Sequence, residues 1–133
     1  MPGLTGLAEV VLMVSDLDRS LRFYRDTLGL VLISPPEMAG RAFLRIGPAR
    51  DGVPHQIVLV QRAADAPDQP GSRAHRGLHH IGLEIAREDF DREWARLQEL
   101  GSEVRTGEHP FLRVQAFYID DPDGNEVEIV TLK

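Results

Sequence analysis

A strand-and-helix plan occurs twice in this chain, the copies 71 positions apart, and this repeat constrains the fold more than any other feature. Leu7–Val14 is rich in β-branched and aliphatic residues and reads as a strand. Ser15 and Asp16 follow as helix-cap residues. Leu17, Leu21, Tyr24 and Leu28 then recur at helical spacing before Gly29. In the second copy, Leu78–Ile85 is a strand, and Phe90, Trp94, Leu97 and Leu100 form a helical stripe closed by Gly101. In this register Leu7 meets Leu78, Glu9 meets His80 and Val10 meets Ile81.

The back halves correspond as well. Arg41–Ile46 parallels Gln115–Ile119, and the turns Asp51-Gly52 and Asp123-Gly124 lead into the alternating strands Gln56–Val60 and Glu126–Val130. Each copy is therefore predicted as strand, helix, then two or three strands: a βαβββ module in an α+β fold. Module one covers about 4–62 and module two about 77–133, and the Pro-, Gly- and Asp-rich stretch 63–76 reads as a surface linker. A module of roughly fifty residues buries too little apolar surface to stand alone, so the two sheets are expected to pair.

Bulk properties narrow the function. The 133 residues suit a single domain, and 42% hydrophobic with 27% charged is ordinary for a globular one. A net charge of −6 disfavours a nucleic-acid partner. The chain has no cysteine, which excludes thiolate metal sites and a cysteine nucleophile. No apolar run approaches the ~20 residues of a membrane span. Met-Pro-Gly-Leu-Thr-Gly lacks the regions of a signal peptide, so a cytoplasmic location is expected.

Val14-Ser-Asp-Leu-Asp-Arg-Ser-Leu-Arg-Phe-Tyr-Arg-Asp-Thr-Leu-Gly29, His79-His-Ile-Gly-Leu83 and Asp121-Pro-Asp-Gly-Asn-Glu-Val-Glu-Ile129 together resemble the vicinal oxygen chelate superfamily of glyoxalases, extradiol dioxygenases, epimerases and drug-resistance proteins. The resemblance covers nearly the whole chain. It implies curved mixed sheets forming a barrel-like cleft, with a divalent metal held by residues on the first strand of each module and the last strand of the second. Carried over, those positions are Glu9, His80 and Glu128. The family's usual residue at the first of them is His, and this chain departs from it.

The residues support that set on their own chemistry. Glu9 interrupts an apolar strand, and Glu128 lies between Val127 and Ile129 on a strand expected to be central. A buried carboxylate needs a cation, an arginine or lysine, or exposure. Glu128 facing solvent and His80 as a hydrogen-bonded core histidine are the ordinary alternatives. Two carboxylates and one imidazole leave open positions on an ion and favour Fe(II) or Mn(II). Gln56 is a possible fourth ligand or substrate contact. Aligning the Asp-Gly turns matches it with Glu128, and a slip of two matches it with Glu126; both keep it on the inner face and His55 off it. His79, by alternation, is expected on the opposite face from His80.

In extradiol enzymes a His and a Tyr precede the ligand Glu at set distances. His109 precedes Glu128 by nineteen residues and Tyr118 by ten, which resembles that pattern. His109 is the expected acid/base and Tyr118 an orienting hydrogen-bond donor. The alternatives are a loop histidine beside Pro110 and a packed aromatic. The leading reading is ring cleavage of a catechol. Its rivals are glyoxalase- or epimerase-like proton transfer through a metal-held enediolate, and a metal-free binding protein for a drug or other small molecule. A homodimer is expected because small modules expose sheet edges, with the modules pairing either within a chain or across the dimer.

Overall fold

A computed structural model describes residues 3, 6–64 and 78–133. The linker read into 63–76 lies, from residue 65 onward, outside the described residues. The described residues fall into two compact units, one within Met1–Ala66 and the other within Pro67–Lys133. Each carries an open four-stranded mixed sheet, so the two-module α+β architecture predicted from the repeat is present.

In the first unit, β1 (Glu9–Val14) pairs in parallel with β4 (Gln56–Gln61). The antiparallel strands β3 (Arg41–Arg45) and β2 (Val31–Leu32) follow, for an order of β1-β4-β3-β2. Alternation divides β1: Leu12 and Val14 are buried, whereas Glu9, Val11 and Met13 are exposed on the other face. The helix opens with Asp16, whose carboxylate accepts the Arg19 N–H at 3.0 Å.

The expected single helix over 17–28 divides in two. An α-helix, α1 (Leu17–Leu21), runs into a π-helical turn, Arg22–Thr27, in which the Leu28 N–H reaches back to the Phe23 carbonyl at 2.9 Å. Tyr24 is fully buried within this turn, and Gly29 ends it at φ +79°.

The second unit repeats the order, β5-β8-β7-β6. Its strands are β5 (His80–Glu84), β6 (Arg105–Gly107), β7 (Val114–Asp120) and β8 (Glu126–Leu132). Helix α2 (Phe90–Glu99) packs Phe90 and Trp94 against Phe117 of β7, with centroids 5.1 and 5.5 Å apart. Leu97 is fully buried, but Leu100, assigned to the same stripe, is exposed because the helix has ended at Glu99.

The strand registers settle how the copies correspond. Glu9 is opposite Gln56, and His80 is opposite Glu126, so Gln56 matches Glu126 and the two-residue slip is the correct alternative. With that alignment, Phe43 (opposite Val58) corresponds to Tyr118 (opposite Glu128), not to Phe117. The similar strings Arg41-Ala-Phe and Gln115-Ala-Phe are offset by one residue. That offset puts Tyr118 on the face of Glu128 and sends Phe117 to the helix.

Candidate metal centre

In the first unit, Glu9 is the first residue of β1 and is exposed. Its neighbour across the parallel ladder, Gln56, donates its side-chain N–H to the Glu9 carboxylate at 2.9 Å. The pair shares one face of the sheet. His55, one residue earlier, contacts the Arg50 guanidinium.

In the second unit the parallel ladder puts His80 beside β8. His80 Nε2 lies 3.0 Å from Glu128 Oε2, and the Glu128 side chain is only 8% exposed. Gly82 is the ladder partner of Glu128, and a Cβ there would meet Oε2 at 3.9 Å, an ordinary van der Waals contact. Tyr118 is opposite Glu128 on the antiparallel side, so the two side chains share one face of the sheet. The Tyr118 ring meets the His80 ring edge-on with centroids 6.0 Å apart. Burial raises the Tyr118 pKa above that of an ordinary phenol, and the charges of Glu128 and Glu126 add to the rise. The hydroxyl therefore stays protonated and remains a donor at neutral pH.

Gly107 holds Tyr118 in place. A Cβ at Gly107 would overlap the Tyr118 ring, with Cζ at 3.1 Å and Cδ2 at 3.2 Å, so the ring lies over bare backbone. Sequence reasoning missed this glycine. A Gly near the end of a strand ten or so residues before a Tyr is too common a pattern to reveal it.

Two further residues were misjudged or missed. His79 was expected on the opposite face, but β5 begins only at His80, so alternation does not govern it. Its Nδ1 lies 2.8 Å from His80 Nδ1, and ligand atoms of His79, His80 and Glu126 lie within 4.8 Å of one another. Arg105, which drew no notice in the sequence, bridges Asp120 at 2.7 Å and Glu126 at 3.3 Å. Glu126 is thus tied to a cation, whereas Glu128 presents its carboxylate to His80 and Tyr118.

His109 lies on the loop between β6 and β7. Its Nδ1 accepts the backbone N–H groups of Phe111 at 3.0 Å and Leu112 at 2.7 Å. In the neutral ring the proton is then on Nε2, which makes Nε2 a hydrogen-bond donor. The ring lines a cavity of about 620 Å³ together with Phe90, Trp94, Arg113 and Lys133.

The donor set suits a hard or borderline divalent ion. Two donors each ~2.1 Å from an octahedral ion lie about 3.0 Å apart, the separation of His80 Nε2 and Glu128 Oε2. Imidazole and carboxylate are ligands that Fe(II), Mn(II) and Zn(II) all accept.

Residues 6–129 match the family described as the Glyoxalase/Bleomycin resistance protein/Dioxygenase superfamily. The chain is 29% identical over 132 residues to the metallothiol transferase FosB of Staphylococcus epidermidis, covering 96% of this chain and 82% of that protein. It is 31% identical over 133 residues to the 2,2',3-trihydroxybiphenyl dioxygenase of Sphingomonas paucimobilis, but spans only 41% of that protein against 96% of its own length. A glyoxalase/dioxygenase from Nostoc punctiforme shares its fold, with a TM-score of 0.73 at 24% identity over 96% of this chain and 91% of the other.

Proposed function

The chain belongs to the glyoxalase/bleomycin resistance protein/dioxygenase superfamily, and from that premise we propose that it is a metal-dependent enzyme cleaving the ring of a catecholic substrate. The observation that carries the reading is the Tyr118–Glu128–His80 arrangement on three strands of the second sheet. His80 and Glu128 would hold a divalent metal, with Glu9 proposed as the third ligand on the family pattern and Gln56 orienting it. Fe(II) or Mn(II) is the proposed ion; when bound it supplies Lewis acidity and redox chemistry towards oxygen. Tyr118 offers a protonated hydroxyl beside Glu128 to orient a substrate oxygen, and His109 offers its Nε2–H as a hydrogen-bond donor to the substrate. The spacing of His109 and Tyr118 before Glu128 and the similarity to a ring-cleaving dioxygenase support the same reading.

The chain's larger share of a metallothiol transferase's length favours a second reading, metal-dependent transfer or proton abstraction on a small molecule without oxygen. In either reading we propose a homodimer in the cytoplasm. Exposed Val11 and Met13 beside Glu9 form an apolar face of the sort a partner covers. Among the described residues no helix is long and apolar enough to cross a membrane.

Protein loaded with Fe(II) without air and then given a catechol panel should consume oxygen and form a yellow ring-opened product. His80→Ala should abolish both uptake and metal content, and Glu9→Gln should weaken metal binding. Metal-loaded protein that takes up no oxygen, yet exchanges a substrate C–H proton with solvent, would transfer the assignment to the second reading.

A further inference from the structure

We propose that His79 is a positioning residue for His80, accepting the Nδ1–H of that ring when its Nε2 is on a metal. The inference rests on the reading of His80 as a metal ligand. A neutral imidazole carries one N–H, so an Nε2 committed to an ion leaves the proton on Nδ1. A ligand histidine generally donates that proton to a fixed partner, which sets its tautomer and the plane of its ring. The partner present here is His79 Nδ1, at 2.8 Å.

The rings support this geometry. The His79 ring meets that of His80 edge-on, with centroids 5.0 Å apart and planes at 75°. The Tyr118 ring meets it edge-on as well, with centroids 6.0 Å apart and planes at 83°. Bracketed between the two, the His80 ring presents Nε2 to Glu128 at 3.0 Å. His79 precedes the first residue of β5, so strand alternation does not fix the direction of its side chain. The clustering of His79, His80 and Glu126 ligand atoms admits a competing role, with the His79 ring itself on the ion. The two roles differ in what His79 must supply: one hydrogen-bond acceptor, or an imidazole nitrogen.

Asparagine separates them, because its Oδ1 is as many bonds from Cα as the Nδ1 of histidine and accepts a hydrogen bond. Mn(II) binding is measured by loss of the free-ion EPR signal in the full chain and in His79→Leu, His79→Asn and His80→Ala. The expected result is that His79→Leu binds Mn(II) roughly 10–100-fold more weakly. His79→Asn should recover most of that loss, and His80→Ala should not bind. Two-bond ¹H–¹⁵N spectra of the Zn(II)-loaded protein should show His80 as the Nδ1–H tautomer in the wild type and His79→Asn, with its signals broadened in His79→Leu. Affinity in His79→Leu within twofold of wild type would overturn the proposal while leaving His80 as ligand. A loss in His79→Asn equal to that in His79→Leu would assign His79 to the ion instead. Undiminished binding in His80→Ala would remove the underlying metal reading, and this proposal with it. Since His79 is exposed, its variants should keep the wild-type melting temperature without metal, which separates lost positioning from lost fold.

Discussion

Of the two glycines beside the candidate centre, Gly107 makes the tighter contact with it. Gly107 is where a side chain would strike the Tyr118 ring, and Tyr118 is in turn opposite Glu128 on the ladder. Gly107→Ala should cost about 1–3 kcal/mol, as overpacking does, and should swing the phenol away from Glu128. Tyr118 would then lose the burial and the carboxylate that raise its pKa. Absorbance at 295 nm should show Tyr118 ionising above an ordinary phenol's ~10 in the wild type and closer to it in Gly107→Ala. The sign for stability follows. A pKa raised on folding stabilises the protein fully below the unfolded value, and that contribution is lost as pH rises through the folded value. Denaturant midpoints of wild type and Tyr118→Phe should therefore converge above about pH 10. An unchanged gap at high pH would mean the hydroxyl contributes nothing.

At the scale of elements, the turn before β8 sets the register of the strand that carries both acidic residues. Asp121 is buried, and its carboxylate accepts N–H groups from Asp123 at 2.9 Å, from the Asn125 backbone at 2.8 Å and from the Asn125 side chain at 3.0 Å. The motif Asp121-Pro-Asp-Gly-Asn125 is thus a hydrogen-bonded unit that starts β8 in one register. Asp121→Ala leaves those donors without their acceptor and should destabilise by about 1–3 kcal/mol in urea unfolding. Hydrogen exchange should quicken at Glu126–Glu128, because a slipped register reverses which side chains face His80. Gln61 plays a comparable part in the first unit. Its side chain accepts the Leu17 N–H at 2.8 Å and donates to the Ser15 carbonyl at 2.9 Å, tying β4 to the start of α1.

For the whole molecule, the proposed metal and dimer have separate tests. Mn(II) at about one hundred times its dissociation constant should stabilise the fold by ~2.7 kcal/mol, seen as a higher melting temperature that chelation reverses. The same shift in His80→Ala would place the ion elsewhere. Sedimentation should give twice the 14.8 kDa chain mass, and Met13→Glu, on the exposed face of β1, should shift the protein towards monomer. A wild-type monomer at micromolar concentration would refute the dimer.

Much of this protein was legible from the chain, because periodicity and turn chemistry are local. The repeat, the strands around Glu9, His80, Gln56 and Glu128, the glycine at the end of each helix and the Asp-Gly turns all follow from patterns within a dozen residues. What the tertiary structure decided depends on partners distant in sequence. A one-residue offset between β3 and β7 is invisible in strings that look alike, yet it determines that Tyr118, and not Phe117, faces Glu128. Apolar spacing does not distinguish an α turn from the π turn at Arg22–Thr27, since a single turn holds too few apolar positions to fix its period. The contacts Gly107–Tyr118, Arg105–Glu126 and Gln61–Leu17 each join different elements, and only the folded sheets bring them together. His79 shows the boundary most clearly. Alternation fixes a side chain's face only once the strand ladder has begun, and where a ladder begins is set by pairing with another strand.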